Sequence, residues 1–524
     1  MIKAVNFLCA LFLCVTAYSQ SPFQNVLISQ YNFPNEPAIC ISPVDTNIIT
    51  AAANVDLFYS STDGGKTWDM LQADSKYGVY GDPCIVADTS GNFLYFHLAL
   101  NDTITIWPRW ADRIVCQKTN TGGNTWMVDT FTGLNLPKMQ DKEWSAVDPA
   151  RNYVYLAWTQ FDLYGSTLQE DSSIIKFSRS QDGGVSWSAA QTVGDLEGDC
   201  IDSDSTIEGA MPAVGPNGEV YLAYAVDEKI YFNKSTDFGN TWLSSEVVVA
   251  NQKEGWDYEI PGIYRCNGMP VLHCDVSGGP HTGAIYLNWT DKQIANDADV
   301  YFAKSIDGGT TWSAPLRVND DPAGSDNFMS WMTVDQTNGD IYIVYYDRRN
   351  HPATTLTDMY MARSTDGGNN FVNFRISSSP FTAQASLFHG DYINISAVNG
   401  CVRPIWTRQD TGQTSIWTAL ITFKDSSTVV NGLPKNTVAD GKWRLMSANP
   451  AKGDCIIAIG NISEGASITL FNANGQLMNV WNDLQPLTYE RLKLKDLLLP
   501  SGIYLLQCKD RESVKVIRLI VEGQ

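Results

Sequence analysis

Acidic side chains recur at matching places beside short apolar runs, and these residues are the ones best suited to chemistry. Glu36, Asp82, Glu143, Glu208 and Asp391 are each expected in a loop just ahead of such a run. A second set is expected in loops that follow such runs: Asp162, Asp227, Asp291, the triplet Asp347-Arg348-Arg349, and Arg408. Paired carboxyl groups are what glycoside hydrolysis needs, about 5 Å apart for retention and roughly 6.5–9.5 Å apart for inversion. On that reading Asp82, Glu143, Glu208, Asp347 and Asp391 are the acid, base or nucleophile candidates, while Arg348 and Arg408 orient the substrate. Trp144, Trp158, Trp331 and Tyr392 add flat faces on which pyranose rings can stack. Any one of these acids, taken singly, more often ties down its own loop.

Other chemistries have little to stand on. The five histidines show no metal-ligand spacing, so no metal and no cofactor is expected. Asp199, Asp202, Asp204 and Glu208 form an acidic loop without the EF-hand pattern, which reads as solvated surface. No glycine loop has phosphate-binding form. The formal net charge of -21 speaks against nucleic acid or an anionic membrane as partner. Met1 to Ser19 has the pattern of a secretory signal. Lys3 is basic, Ala4 to Val15 is apolar but too short to span a bilayer, and Ala17-Tyr18-Ser19 suits cleavage before Gln20. Nine cysteines follow it. Most fall in apolar patterns and read as buried thiols, whereas Cys200 and Cys266 lie in polar loops and are candidates for a disulfide.

The elements that must position the acids are marked by a repeated phrase, Ser-x-Asp-x-Gly-x-Thr-Trp. It starts at Ser61, Ser180, Ser235 and Ser305, with worn copies at Thr119 (Thr121 in place of Asp) and Ser364 (ending Asn370-Phe371). A period of 55 to 70 residues signals an array of similar units. Within the phrase Asp accepts from backbone N–H groups, Gly supplies a positive φ, and Trp anchors the turn. Each copy follows an alternating run such as Ile230–Lys234 or Val300–Lys304, so it caps a turn between strands. Second strands are expected at Phe93–Leu98, Tyr153–Trp158, Val220–Tyr224, Ile285–Trp289 and Ile341–Tyr346.

Short, evenly spaced strands of this kind predict an all-β propeller. Gly390-Asp391-Tyr392 opens a further unit without a phrase or a fourth strand, and Gln24–Ile28 is a spare strand at the other end. Pairing the two closes the ring without a free edge. Seven blades are therefore expected, with six as the alternative.

The repeated phrase resembles the Asp box of the sialidase-like β-propellers. That resemblance implies that the boxes lie on the rim away from the active-site face. It also implies a secreted sialidase-like glycoside hydrolase acting on extracellular glycans. The alternative is a non-catalytic surface propeller that binds glycan or protein. The family carries a Phe/Tyr-Arg-Ile-Pro motif whose Arg starts a three-arginine clamp on the substrate carboxylate. Here the stretch is Pro34-Asn35-Glu36-Pro37-Ala38-Ile39, and Asn35 cannot supply bidentate recognition. Arg265, Arg348, Arg349, Arg403 and Arg408 remain to form another cluster. Tyr258-Glu259 resembles the family's nucleophile-and-base pair only loosely.

From Lys424 the character changes. Residues 425–441 read as a linker, and 442–524 as a small β-sandwich. This tail resembles the C-terminal sorting domain of the Bacteroidetes type IX secretion system. The resemblance rests on Asn449-Pro450, Ile468–Gly475, Ser501–Tyr504 and Lys515–Ile520. It implies export across the outer membrane with the type IX secretion machinery as partner. The expected organisation is a signal at 1–19, the propeller at 20–424, the linker, and the sorting domain.

Overall fold

The computed structural model describes residues 21, 23–99, 111–294, 297–410 and 412–423, together with strands and a few flanking residues between 443 and 521. The chain divides into two compact units, Met1–Asp425 and Ser426–Gln524. Among the described residues of the first unit, the strands build seven antiparallel sheets of four strands, one of which carries a short fifth strand, Phe381–Thr382. Sheet 1 is typical, with strands Ala38–Ile41, Ile49–Ala53, Leu57–Ser61 and Asp69–Gln72 hydrogen-bonded in chain order.

The first strands of sheets 1 to 7 are Ala38–Ile41, Gly81–Ala87, Met139–Val147, Glu208–Val214, Val271–Cys274, Asn327–Asp335 and Asn394–Val398. Each touches the next, and the last touches the first, so the sheets form a closed ring around a central channel. Second strands are covered on both faces. For that reason Phe93–Ala99 and Val220–Val226 are buried along their whole length and show no polar alternation, His97 being the one polar side chain in the two.

Closure comes from the two ends of the unit. Gln24–Ser29 pairs antiparallel with Gln413–Thr422, Val26 opposite Thr418 and Asn25 opposite Ala419. Asn25 also clasps sheet 6: its Nδ2 donates to the Ile376 carbonyl at 2.8 Å and its Oδ1 accepts from Ser378 N at 2.6 Å.

Each copy of the repeated phrase begins on the last residue of a third strand: Ser61, Thr119, Ser180, Ser235, Ser305 and Ser364. The Ser180 Oγ accepts from Gly184 N at 2.8 Å, and Asp182 Oδ1 accepts from Ser186 N at 2.9 Å. Worn copies keep the pattern with other atoms. Thr121 Oγ1 accepts from Thr125 N at 2.9 Å, and Asn370 Nδ2 donates to Asp366 Oδ2 at 2.8 Å. The glycine at the fifth position of the phrase lies against the preceding sheet, where a Cβ at Gly239 or Gly309 would collide with Phe177 or Phe232. Trp242 and Trp312 meet the same two rings edge-on at 5.0 and 5.3 Å. The turns are therefore clasps between sheets. In sheet 1 the neighbour is Arg403 rather than Phe. Its guanidinium donates to the carbonyls of Gly64, Val402 and Ile421, a structural role that removes it from any substrate cluster.

The pairing expected for Cys200 and Cys266 does not form; both thiols are free and buried. Cys200 packs with Met139 and Phe161, whereas Cys266 belongs to the cluster around Tyr258, Phe328 and Tyr346. In the second unit Leu477–Trp481, Ser467–Asn472, Gly502–Lys509 and Val514–Val521 form one sheet, and Trp443–Leu445, Cys455–Ile459 and Thr488–Leu492 another. Ile468, Leu470, Leu506 and Leu519 share a core with Leu492 of the second sheet.

Two outcomes follow from the ring. Removal of residues 20–29 bares the Gln413–Thr422 edge, so size-exclusion chromatography is expected to show self-association, with a lower Tm. Ser180→Ala orphans the buried Gly184 N–H and is expected to lose about 1–3 kcal/mol in denaturant unfolding.

Candidate functional site

Four of the first strands carry a bulge near their start: Gly81 to Cys84, Asp141 to Trp144, Glu208 to Met211 and Phe328 to Trp331. Left-handed backbone falls there at Asp82 (φ 54°), Lys142 (φ 50°), Gly209 (φ 78°) and Met329 (φ 48°), with Glu36 (φ 50°) and Gly390 (φ 95°) at the corresponding places in sheets 1 and 7. Non-glycine residues held in this region store about 1 kcal/mol or more each, and such strain gathers at functional sites. Gly390 is required sterically, since a Cβ there would run into the backbone of Glu36. Asp82, Glu143 and Glu208 consequently lie within first strands, not in the loops ahead of them as expected.

The bulges bring charged groups from several sheets together at one mouth of the channel. Lys142 Nζ lies 2.8 Å from Asp391 Oδ2 and 3.1 Å from Asp82 Oδ2. Arg265, between the short strands Asp257–Tyr258 and Cys266–Asn267, grips Asp391 with two nitrogens, Nε to Oδ1 at 2.7 Å. Its Nη1 reaches Asp202 Oδ2 at 2.8 Å, and the Tyr164 hydroxyl donates to the same carboxylate oxygen at 2.7 Å. Glu36 Oε1 accepts from Asp391 N at 3.0 Å.

The acids of this mouth are driven in opposite directions. Burial pushes the Asp391 carboxyl up, but Lys142 and Arg265 outweigh it and hold it well below the usual carboxylate range. Burial raises Asp141 to about 7, with Lys142 opposing and Asp82 and Asp202 adding to the rise. Glu143 is pushed well up by burial and then by Asp82, and Glu208 by burial and then by Asp202 and Asp141. Neither Glu143 nor Glu208 has a hydrogen-bond partner for either carboxyl oxygen among the described residues, and both are buried.

Below these groups three aromatic rings close the channel. Trp144 lies 4.6 Å from Trp331 and 4.8 Å from Tyr392, centroid to centroid, and Trp331 lies 5.9 Å from Tyr392. The expected sugar platforms are thus a mutual plug, because inward-facing rings from three sheets meet on the axis. Trp158 is not in the channel at all; it is buried and donates to Gln140 Oε1 at 2.6 Å.

Three other candidates are engaged elsewhere. Asp347 is buried, which pushes its carboxyl up to about 7, and accepts from Asn327 and Arg349, each at 2.8 Å. Arg348 donates to Thr357 Oγ1 at 3.1 Å and the Pro261 carbonyl at 2.8 Å. Arg408 sits inside the strand Cys401–Asp410, not in a following loop, and binds Asp410 at 2.8 Å and the Ser379 carbonyl at 3.0 Å. The guanidiniums are dispersed and each is occupied, so they build no three-arginine clamp among the described residues. The Tyr258 hydroxyl meets Thr290 Oγ1 in the interior, out of reach of a substrate. Sequence reasoning passed over Asp141, Lys142 and Asp202 as working members of the mouth. The run Asp141-Lys142-Glu143-Trp144 was the available signal, since a lysine amid acids on a buried strand must be paired.

Residues 448–522 match the family described as the secretion system C-terminal sorting domain. The chain carries an export address and is secreted or attached at the cell surface. No helix among the described residues is long and apolar enough to cross a membrane. No curated protein matches the sequence. Among solved structures, one of unknown function from Dyadobacter fermentans is similar at 12% identity and TM-score 0.45, covering 77% of this chain and 99% of its own. Trypanosoma rangeli sialidase is similar at 11% identity and TM-score 0.40, covering 90% of this chain and 87% of its own. Penicillium chrysogenum α-L-arabinanase is similar at 12% identity and TM-score 0.40, covering 65% and 96%.

The buried Glu143 carries a pH signature. Its folded-state pKa lies above the unfolded value, so its contribution to stability is full in acid and is lost as pH rises through the folded value. Glu143→Gln removes that ionisation. The variant is expected to raise Tm by about 2 °C or more at pH 8 and to leave it nearly unchanged at pH 5, read by calorimetry.

Proposed function

We propose that the mouth of the ring binds an extracellular glycan and hydrolyses a glycosidic bond in it. Asp141 is the proton donor and Asp391, held by Lys142 and Arg265, is its carboxylate partner. The observation that carries this reading is the split between neighbouring acids: Asp141 is pushed up to about 7, while Asp391, tied to Asp82 through Lys142, is held well below the ordinary range. Acid and base roles separate where environments drive two carboxyls apart, and a donor poised near neutrality is the effective one. Carboxylates accept from sugar hydroxyls. Arg265 is already held by Asp391 and Asp202, which leaves little to grip a substrate carboxylate. The sugar recognised is therefore neutral and hydroxyl-rich rather than a sialic acid.

A second reading, binding without catalysis, is favoured by one feature. Lys142 and Arg265 already occupy lone pairs of Asp82 and Asp391 that a nucleophile or base would use.

Aryl glycosides of neutral hexoses and pentoses, with a sialoside alongside, separate the two. Turnover of a neutral glycoside is expected, falling as pH rises through about 7, because Asp141 must keep its proton. Asp141→Asn is expected to lower kcat by about 10²–10⁴-fold. Glycan binding without turnover would establish the non-catalytic reading, and the absence of both would overturn the site.

A further inference from the structure

The channel has a second half, on the far side of the aromatic plug from the charged mouth. Here the first strands run on toward their turns into the second strands, and they enclose a cavity of about 480 Å³ with Trp144 and Trp331 among its lining residues. A second cavity, of only about 20 Å³, adjoins the same rings on the mouth side, so the larger one ends at the plug as a blind tube along the ring axis. Its volume falls within the range of small-molecule sites.

The wall is mostly apolar and carries no cation; its one carboxylate, Asp335, is turned to backbone donors. Matching positions on successive strands contribute Cys40, Val86, Ala146, Ala213, His273 and Thr333. The polar lining atoms are largely engaged with protein. Ser396 Oγ accepts from Ile41 N at 3.0 Å. Gln336 donates to the Cys274 carbonyl and accepts from Val276 N, both at 2.8 Å. Asp335 accepts from Thr337 N at 3.0 Å and Gly400 N at 2.7 Å. Burial holds the His273 imidazole down at about 4, which leaves it uncharged at neutral pH. Water in such a tube finds few partners, whereas an apolar group gains contacts along the whole wall.

We propose that this tube is a binding site for a single unbranched alkyl or acyl chain of a neutral amphiphile, separate from the charged mouth. A blind, axial tube admits a chain end-on and excludes a peptide strand or a flat face. A wall without a cation gives no counter-ion to an acidic tail, and the one carboxylate, Asp335, is already taken by backbone N–H groups. An exported protein meets amphiphiles at the cell surface.

The test uses the full mature chain and n-alkyl β-glucosides (hexyl, octyl, decyl) below their micellar concentrations, read by titration calorimetry with methyl glucoside as headgroup control. Affinity is expected to rise about fourfold per methylene. Ala146→Trp, which fills the tube, and Val86→Glu, which puts a charge into its wall, are each expected to weaken decyl glucoside at least tenfold. Their methyl glucoside binding and far-UV spectrum should be unchanged. Affinity independent of chain length would overturn the proposal. So would decyl binding that survives in either folded variant, since that places the chain on another surface. Because methyl glucoside reports on the mouth, loss of its binding alone counts against the glycan site and leaves the tube standing.

Discussion

The hydrogen bonds between Gln24–Ser29 and Gln413–Thr422 are the interaction on which the rest of the first unit depends. A ring of sheets has no inside until its two ends meet. Until then the last sheet presents an unpaired edge, and the channel wall is open on one side. Once they meet, every first strand has a neighbour on both flanks, and the bulged starts of these strands are forced to face one another. The clasps made by the six repeated turns act on the same joints from outside, setting Phe177 under Gly239 and Phe232 under Gly309. Ring closure and the turns therefore share one task, which is to hold the sheets at fixed spacing.

Fixed spacing explains the electrostatics of the mouth. Acids from different sheets are pressed into a space with few cations, and burial disfavours their charged forms. Lys142 and Arg265 satisfy Asp391 and its immediate neighbours, and the others must resolve the conflict by keeping protons. Buried charges without partners are expensive, so the proton on Glu143 or Glu208 is the cheaper solution. The aromatic plug sharpens the contrast, since Trp144, Trp331 and Tyr392 divide the channel into a charged half and an apolar half.

Much of this was legible in the residues. The Ser-x-Asp-x-Gly-x-Thr-Trp phrase is local chemistry, its hydrogen bonds closing within eight residues, so its copies announce the sheets wherever they stand. The apolar second strands were equally plain, because burial on both faces leaves no alternation to misread. What failed was the assignment of acids to loops. A bulge leaves little mark in sequence, and Asp82 and Glu143 lie inside strands whose apolar pattern begins only after them. Trp158 and Trp144 look alike in sequence, yet one is buried in its sheet and the other meets its partners on the axis.

The sequence by itself determined the repeat, the all-β ring, the strand that closes it and the export tail, because each is written in contacts local along the chain or in one matched pair of ends. Only the tertiary structure decided which acids share a mouth, which keep a proton, and that Arg348, Arg403 and Arg408 are tied into the framework. Those outcomes depend on distances between side chains hundreds of residues apart, such as Lys142 and Asp391, and only closure of the ring sets them.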